Sequence, residues 1–212
     1  MKVTVVDLGV GNVPNVVRAL QRAGAQVEVT DRAQQVLAAS CLVLPGVGAA
    51  PPAVRALQEG GLGAALHQAV AQGAWLLGIC LGHQLLFAQL EEFGSHQGLG
   101  FFPGKVEPLP PGLRRPHVGW AQLQAKKPDF PALCGRWFYF VHSYVAQAEE
   151  EDLLATCQHQ GQELCAAVRR GRVVGVQFHP EKSGSAGQEF LRQFLEMAAL
   201  CQGGFPFGQL WT

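Results

Sequence analysis

The sequence predicts an α/β fold: a single domain with a central, mostly parallel sheet flanked by helices, and antiparallel hairpins in its C-terminal half. Three observations predict it. Short apolar runs alternate with helix-like patterns over roughly the first 94 residues, the signature of βαβ units. After about residue 98 the strand-like runs are separated by Gly, Pro or polar turns, as in hairpins. No repeat or linker divides the 212 residues, a length suited to one large core.

In order, "KVTVVDLG" reads as a buried strand, "NVVRALQRAG" as a helix closing on Gly24, "AQVEVT" as a second strand and "CLVLPG" as a third. Residues 50 to 59 and 62 to 72 read as helices, "AWLLGI" as the fourth strand, and "LGHQLLFAQLEE" as a helix ended by Gly94. The later strand-like runs lie in "GLGFFPGKVEPLPPG", "RWFYFVHSYVAQ" and "LLATCQHQGQELCAAVRRGRVVGVQF", and a final helix runs from about Ser185 to Cys201. The tail "GGFPFGQLWT" is Gly-rich and aromatic.

Composition narrows the function. Sixteen basic and sixteen acidic residues give no net charge, so no nucleic-acid or other polyanionic partner is advertised. With 48% hydrophobic residues the chain still lacks an apolar run of the about 18 residues that a membrane span needs. "MKVTVVDLG" enters a strand directly and lacks a signal peptide's apolar segment, so a soluble, cytoplasmic protein is expected. Cysteines 41, 80, 134, 157, 165 and 201 are scattered, with no C-x-x-C, and the seven histidines have no metal-ligand spacing. Most of these thiols read as small buried hydrophobes, and no metal or cofactor is expected.

Two stretches carry chemistry. In "LLGICLGHQLLF", Cys80 stands where a strand turns into a helix, flanked at two residues on each side by Gly78 and Gly82. Glycines free so tight a turn of clashing side chains, which is the nucleophile-elbow pattern with a thiol. The helix that follows favours negative charge at its start, and the amide of Leu81 is placed to donate to an oxyanion. In "VVGVQFHPEKSG", His179 and Glu181 stand two apart at the end of an apolar strand and so share a face, with Pro180 ending the pairing. A carboxylate beside an imidazole selects the tautomer and raises basicity. Cys80 as nucleophile, His179 as base and then acid, and Glu181 as the orienting group make a triad for acyl chemistry. His142 sits in an apolar strand and has no carboxylate beside it in sequence, which leaves it outside this triad.

The elbow "GICLGHQ" and the strand end "QFHPE" resemble the two signatures of the class I (triad) glutamine amidotransferases, at the family's spacing and over essentially the whole chain. The resemblance implies a three-layer fold and hydrolysis of the glutamine side-chain amide through a γ-glutamyl thioester. "LPGVG" at 44 to 48, with "DLGVGNVPNVVRAL", "GLGFFPGKV", "RRPHVGW", "YFVHSY" and "FHPEKSG", is similar to one branch of that family. Its members pass ammonia to a separate (βα)8-barrel cyclase that makes imidazole glycerol phosphate in histidine biosynthesis. By that resemblance Gly46 and Val47 belong to the strand arranged as an oxyanion hole, and Gln84 with the backbone of Ser143 and Tyr144 binds glutamine. Asn12, Trp120, Tyr139 and Lys182 match positions facing the cyclase, with which the chain would form a heterodimer. The branch pattern differs at Leu8, Asn15 and Ala121, where it has Tyr, Ser and Asn, and at His83, where it has an apolar residue. Two alternatives stay open: a glutaminase serving a pyridoxal phosphate, anthranilate or aminodeoxychorismate synthase, and a non-catalytic regulator of the same fold.

Overall fold

The computed structural model describes residues 1–200; Cys201, the expected end of the last helix, and the tail at 203–212 lie outside them. The first half runs β1 (Lys2–Val6), α1 (Val13–Arg22), β2 (Gln26–Thr30), α2 (Ala33–Leu37), β3 (Cys41–Gly46), α3 (Ala50–Glu59), α4 (Leu62–Ala71), β4 (Trp75–Cys80) and α5 (Leu81–Leu85). Then follow β5 (Phe87–Glu91), β6 (Ser95–Gln97), β7 (Phe102–Pro108), β8 (His117–Ala125), β9 (Trp137–His142), β10 (Tyr144–Ala146), β11 (Leu153–His159), β12 (Gln162–Arg170), β13 (Val173–Val176) and α6 (Gly184–Leu200).

Nine strands form one sheet in the order β2-β1-β3-β4-β13-β12-β11-β8-β9. From β2 to β13 all neighbours are parallel; from β13 to β9 all are antiparallel, so the hairpins expected after residue 98 continue the same sheet. A side sheet, β10-β7-β5-β6, packs beside it.

The inner parallel strands β3, β4 and β13 are buried throughout and apolar, because both faces of the sheet are covered there, whereas the edge strand β2 is largely polar and half-exposed. In β3, Cys41 and Val43 join one core while Leu42 and Leu44 join the other, and Leu77 and Leu76 in β4 divide the same way. Helices α1 and α6 supply Val16, Leu20, Phe190 and Phe194 to the first core; α3 and α4 supply Val54, Leu57 and Leu66 to the second. Helix, sheet and helix thus make the expected three layers.

Two local expectations are corrected. The helix read over "LGHQLLFAQLEE" stops at Leu85, and Phe87–Glu91 is strand β5. The carbonyls a longer helix would use internally are taken by a returning segment: Leu99 N donates to Leu85 O (2.7 Å), Phe102 N to Leu86 O (3.1 Å), Gly100 N to Phe87 O (3.2 Å) and Gly98 N to Ala88 O (3.0 Å). Gly98 permits the approach, since a Cβ there would collide with the carbonyl of Phe87. Secondly, β13 ends at Val176, and Pro180–Lys182 is one turn of 3-10 helix, so His179 and Glu181 do not alternate along a strand. Helix α2 had no counterpart in the sequence reading.

Candidate active site

Cys80 is the last residue of β4, a central strand paired with β3 through Gly46 and with β13 through Ile79–Val176. Its backbone lies at φ 55, ψ −107, a conformation that costs a non-glycine residue of order 1–3 kcal/mol and persists only where the surroundings impose it. The surroundings are the two glycines. A Cβ on Gly82 would run into the carbonyl of Leu44, and one on Gly78 would sit 2.7 Å from the carbonyl of Gly82. Only a bare backbone lets the chain leave the sheet here and start α5, with the Cys80 side chain turned outward.

The 3-10 turn brings His179 and Glu181 together by another route than the one expected. His179 Nδ1 lies 2.7 Å from Glu181 Oε1, both side chains being almost wholly buried. Edge strand β9 clamps the segment: His179 N donates to Tyr139 O (2.9 Å), Tyr139 N donates to Ser183 Oγ (3.0 Å), and Ser183 Oγ donates to His179 O (2.6 Å). Helix α6 closes from below, with Gly187 against the carbonyl of Pro180. Burial alone pushes the His179 imidazole down; interaction with Cys80 and Glu181 outweighs it and lifts the group to about 9. Its Nε2 makes no hydrogen bond of ordinary geometry and meets Cys80 at longer range, as catalytic contacts often do without substrate. Such a set can protonate a leaving group at Nε2 while its sulfur forms a covalent bond.

Cys80 and His179 open into a cavity of about 330 Å³ walled also by Val47, Leu81, Gln84, Ser143 and Tyr144. Glu181 stands behind His179. Gly46 is buried outside this wall, where a Cβ would meet Leu81 Cβ at 3.1 Å; it lets β3 press against the elbow. Gln84 spends its amide N–H groups on Tyr144 O (3.3 Å) and Gln177 Oε1 (2.9 Å).

Three of the four expected partner-facing residues share one surface. On the exposed face of β8 and β9, Trp120 lies opposite Tyr139, their ring centroids 6.1 Å apart, and Lys182 Nζ is 5.8 Å from the Tyr139 ring. Val118 and Trp137 extend this apolar face. Asn12 is placed differently: exposed, it caps α1 beside Gly11, which packs on Gly46 and Val47.

Of the other polar residues of the site, the sequence reading gives Glu92 and Gln177 no role and sets His142 outside the triad. Glu92 lines the cavity and one of its oxygens accepts from Ala50 N at the start of α3 (2.7 Å). Gln177 touches the Cys80 sulfur; its signal was a polar residue two before His179 in an otherwise apolar run. His142 lines the cavity, with Nδ1 2.8 Å from Tyr144 O and Nε2 3.0 Å from His117 Nδ1. Burial pushes the His142 imidazole down to about 3 and the His117 imidazole to about 4, so both are neutral.

The family model for glutamine amidotransferase class-I matches residues 4–198. The imidazole glycerol phosphate synthase subunit HisH of Moorella thermoacetica is 44% identical over 92% of this chain and 94% of its own length. That of Synechococcus elongatus is 45% identical over 95% of each. Among solved structures, a glutamine amidotransferase superposes with a TM-score of 0.75 at 24% identity, covering 93% of this chain and 98% of that one. PurLQS from Thermotoga maritima superposes with 0.72 at 18%, covering 92% and 98%; at these identities both structures speak for the fold alone. The strained cysteine at a strand-to-helix turn, the buried His-Glu pair facing it and these matches lead to one conclusion: the chain belongs to the class-I glutamine amidotransferase family, in the branch of the HisH subunits of imidazole glycerol phosphate synthase.

Proposed function

We propose that this chain is the glutaminase subunit of an imidazole glycerol phosphate synthase, acting in the cytoplasm, with Cys80, His179 and Glu181 carrying the chemistry. The observation that carries the reading is the convergence of the elbow sulfur and the Glu181-backed imidazole in one cavity. Glutamine enters with its side chain toward Cys80. The carboxylate of Glu92 at the wall suits its ammonium group, and the Ser143–Tyr144 backbone positions its other end.

Cys80 Sγ attacks the side-chain carbonyl carbon, and the carbonyl electrons move onto oxygen. The amides of Leu81 and Val47, both residues of the cavity wall, are the donors for that oxyanion. His179 Nε2 gives its proton to the amide nitrogen, the C–N bond breaks, and ammonia leaves a γ-glutamyl thioester. Water then attacks as Nε2 takes its proton; the C–S bond breaks, glutamate departs, and the sulfur regains its charge. Glu181 holds the ring and stabilises the imidazolium. No helix among the described residues is long and apolar enough to cross a membrane.

The apolar face of Trp120, Val118, Trp137 and Tyr139, with Lys182, is the surface for a (βα)8-barrel cyclase. It adjoins the site through the Tyr139 backbone, a short route for ammonia. Glutamate release is to be measured for the chain alone, with a cyclase subunit, and with cyclase plus its nucleotide substrate. Strong activation by the liganded cyclase, lost in Cys80→Ala, is expected. Activity indifferent to the cyclase would overturn the partner, and no activity in any mixture would overturn the glutaminase.

A further inference from the structure

Behind the sulfur lies a side chain that the steps above do not use. Gln177 is fully buried one residue beyond β13, its Nε2 3.7 Å from Cys80 Sγ and its Oε1 2.9 Å from Gln84 Nε2. The two ends of an amide look alike in shape, so its direction follows from the network around it. Here the network has a fixed origin. The main-chain carbonyl of Tyr144 only accepts, and Gln84 Nε2 approaches it at 3.3 Å; Gln84 therefore turns its N–H groups to Tyr144 and to Gln177. Gln177 must meet that donor with its oxygen, which leaves its own N–H groups for the sulfur. His142 Nδ1, 2.8 Å from the same carbonyl, holds the origin in place.

We infer that Gln177 is a further catalytic residue: its side-chain N–H donates to Cys80 Sγ, and Gln84 is the positioning residue that sets its direction from the Tyr144 carbonyl. A sulfur carrying negative charge in a buried site needs donors, and another neighbour, the carbonyl of Val141 at 4.0 Å, offers none to an anion. The donor acts twice, before the sulfur attacks and when charge returns to it as the thioester breaks. The second role rests on the proposed glutaminase reaction; the contact with the sulfur does not.

Alkylation of the full chain by iodoacetamide reads this contact without glutamine. The Cys80 peptide is quantified by mass spectrometry against that of exposed Cys134 as an internal reference. Burial pushes the thiols of Cys41, Cys157 and Cys165 up to about 12, which keeps them out of the comparison. In Gln177→Met, which keeps bulk and loses the donor, the Cys80 to Cys134 ratio should fall roughly tenfold near neutral pH and recover toward about pH 10, as expected for loss of a hydrogen bond to a charged group. Gln177→Glu, which puts an oxygen beside the sulfur, should fall further. Gln84→Met, which frees the Gln177 amide without touching the sulfur, should fall about threefold, on the scale of a neutral hydrogen bond, and replaces the Gln177 variants if circular dichroism shows them unfolded. Folded variants whose ratio stays within about twofold of the parent at every pH would overturn the inference, since a lost donor is worth more than that. If the ratio falls while the unaltered chain releases no glutamate with its cyclase, the contact stands and the glutaminase reading fails; unchanged ratios with active parent chain give the reverse.

Discussion

At the scale of single residues, the site depends on groups that are held against their ordinary preferences. Cys80 keeps a positive φ in a turn that Gly78 and Gly82 make possible by leaving room for the neighbouring backbone, and His179 is lifted to about 9 only because its two partners outweigh its burial. Glu181→Gln keeps the shape and removes the charge that stabilises the imidazolium. With the cyclase present it should lower the rate of glutamate release by on the order of 10³-fold or more, as removal of a triad carboxylate does elsewhere; a loss under tenfold would remove Glu181 from the mechanism. His83 is a different kind of exception. It is fully buried on α5, both ring nitrogens lack a partner, and burial pushes it down to about 3. His83→Met, the apolar choice, should raise stability by about 1–2 kcal/mol, the cost of an unsatisfied buried polar group, seen as a melting shift of about 2–4 °C per kcal/mol. Cys80, His179 and Glu181, the proposed triad, could be singled out because each sits in a short motif of its own. Gln177, Glu92 and the His142–His117 pair were not, since their contacts lie 97, 42 and 25 positions apart in the chain and only folding brings them near.

At the scale of elements, local pattern and tertiary pairing compete, and the element after the elbow shows which prevails. Leu85, Leu86, Phe87 and Leu90 fit a helical face as well as a strand, but all four carbonyls from Leu85 to Ala88 are claimed by residues 98–102. Gly98 is the hinge of that exchange. Gly98→Ala forces a Cβ against the Phe87 carbonyl and should cost about 1–3 kcal/mol or more in urea unfolding, an overpacking penalty; an unchanged midpoint would mean that β5 does not depend on this close approach. The inner parallel strands and their helices were readable because burial on both faces makes β3, β4 and β13 apolar and because Gly or Pro punctuates several of the turns between elements, as at Gly24, Gly73 and Gly171. The 3-10 turn at Pro180–Lys182 was not, since its geometry comes from the β9 clamp on His179 and Ser183 and not from any period in the sequence.

At the scale of the whole molecule, charge states and surfaces link the site to stability and to the partner. Neutral His83, His142 and His117 make the fold acid-sensitive. The unfolded chain takes up these protons below about 6.5 while the folded chain refuses them until about 3 to 4, so stability falls with pH below 6.5, by about 1.4 kcal/mol per pH unit for each of His83 and His142. His179 has the opposite sign: its contribution is complete below about 6.5 and is lost as pH rises toward 9. Unfolding by urea should therefore be hardest near pH 6.5 and easier at both pH 5 and pH 9; a curve flat on the acid side would contradict the buried neutral imidazoles. Trp120, Tyr139 and Lys182, singled out in sequence as partner-facing, share the exposed β8–β9 face, whereas Val118 and Trp137 join it only once the hairpin register is known. In the proposed reaction Cys80 forms the bond to glutamine. The most direct measurement of that step is the site of covalent labelling by a glutamine-analogue affinity label in the presence of the cyclase. One label per chain on the Cys80 peptide, blocked by excess glutamine and absent in Cys80→Ala, is the expected result; an unlabelled chain, or a label on another residue, would contradict it.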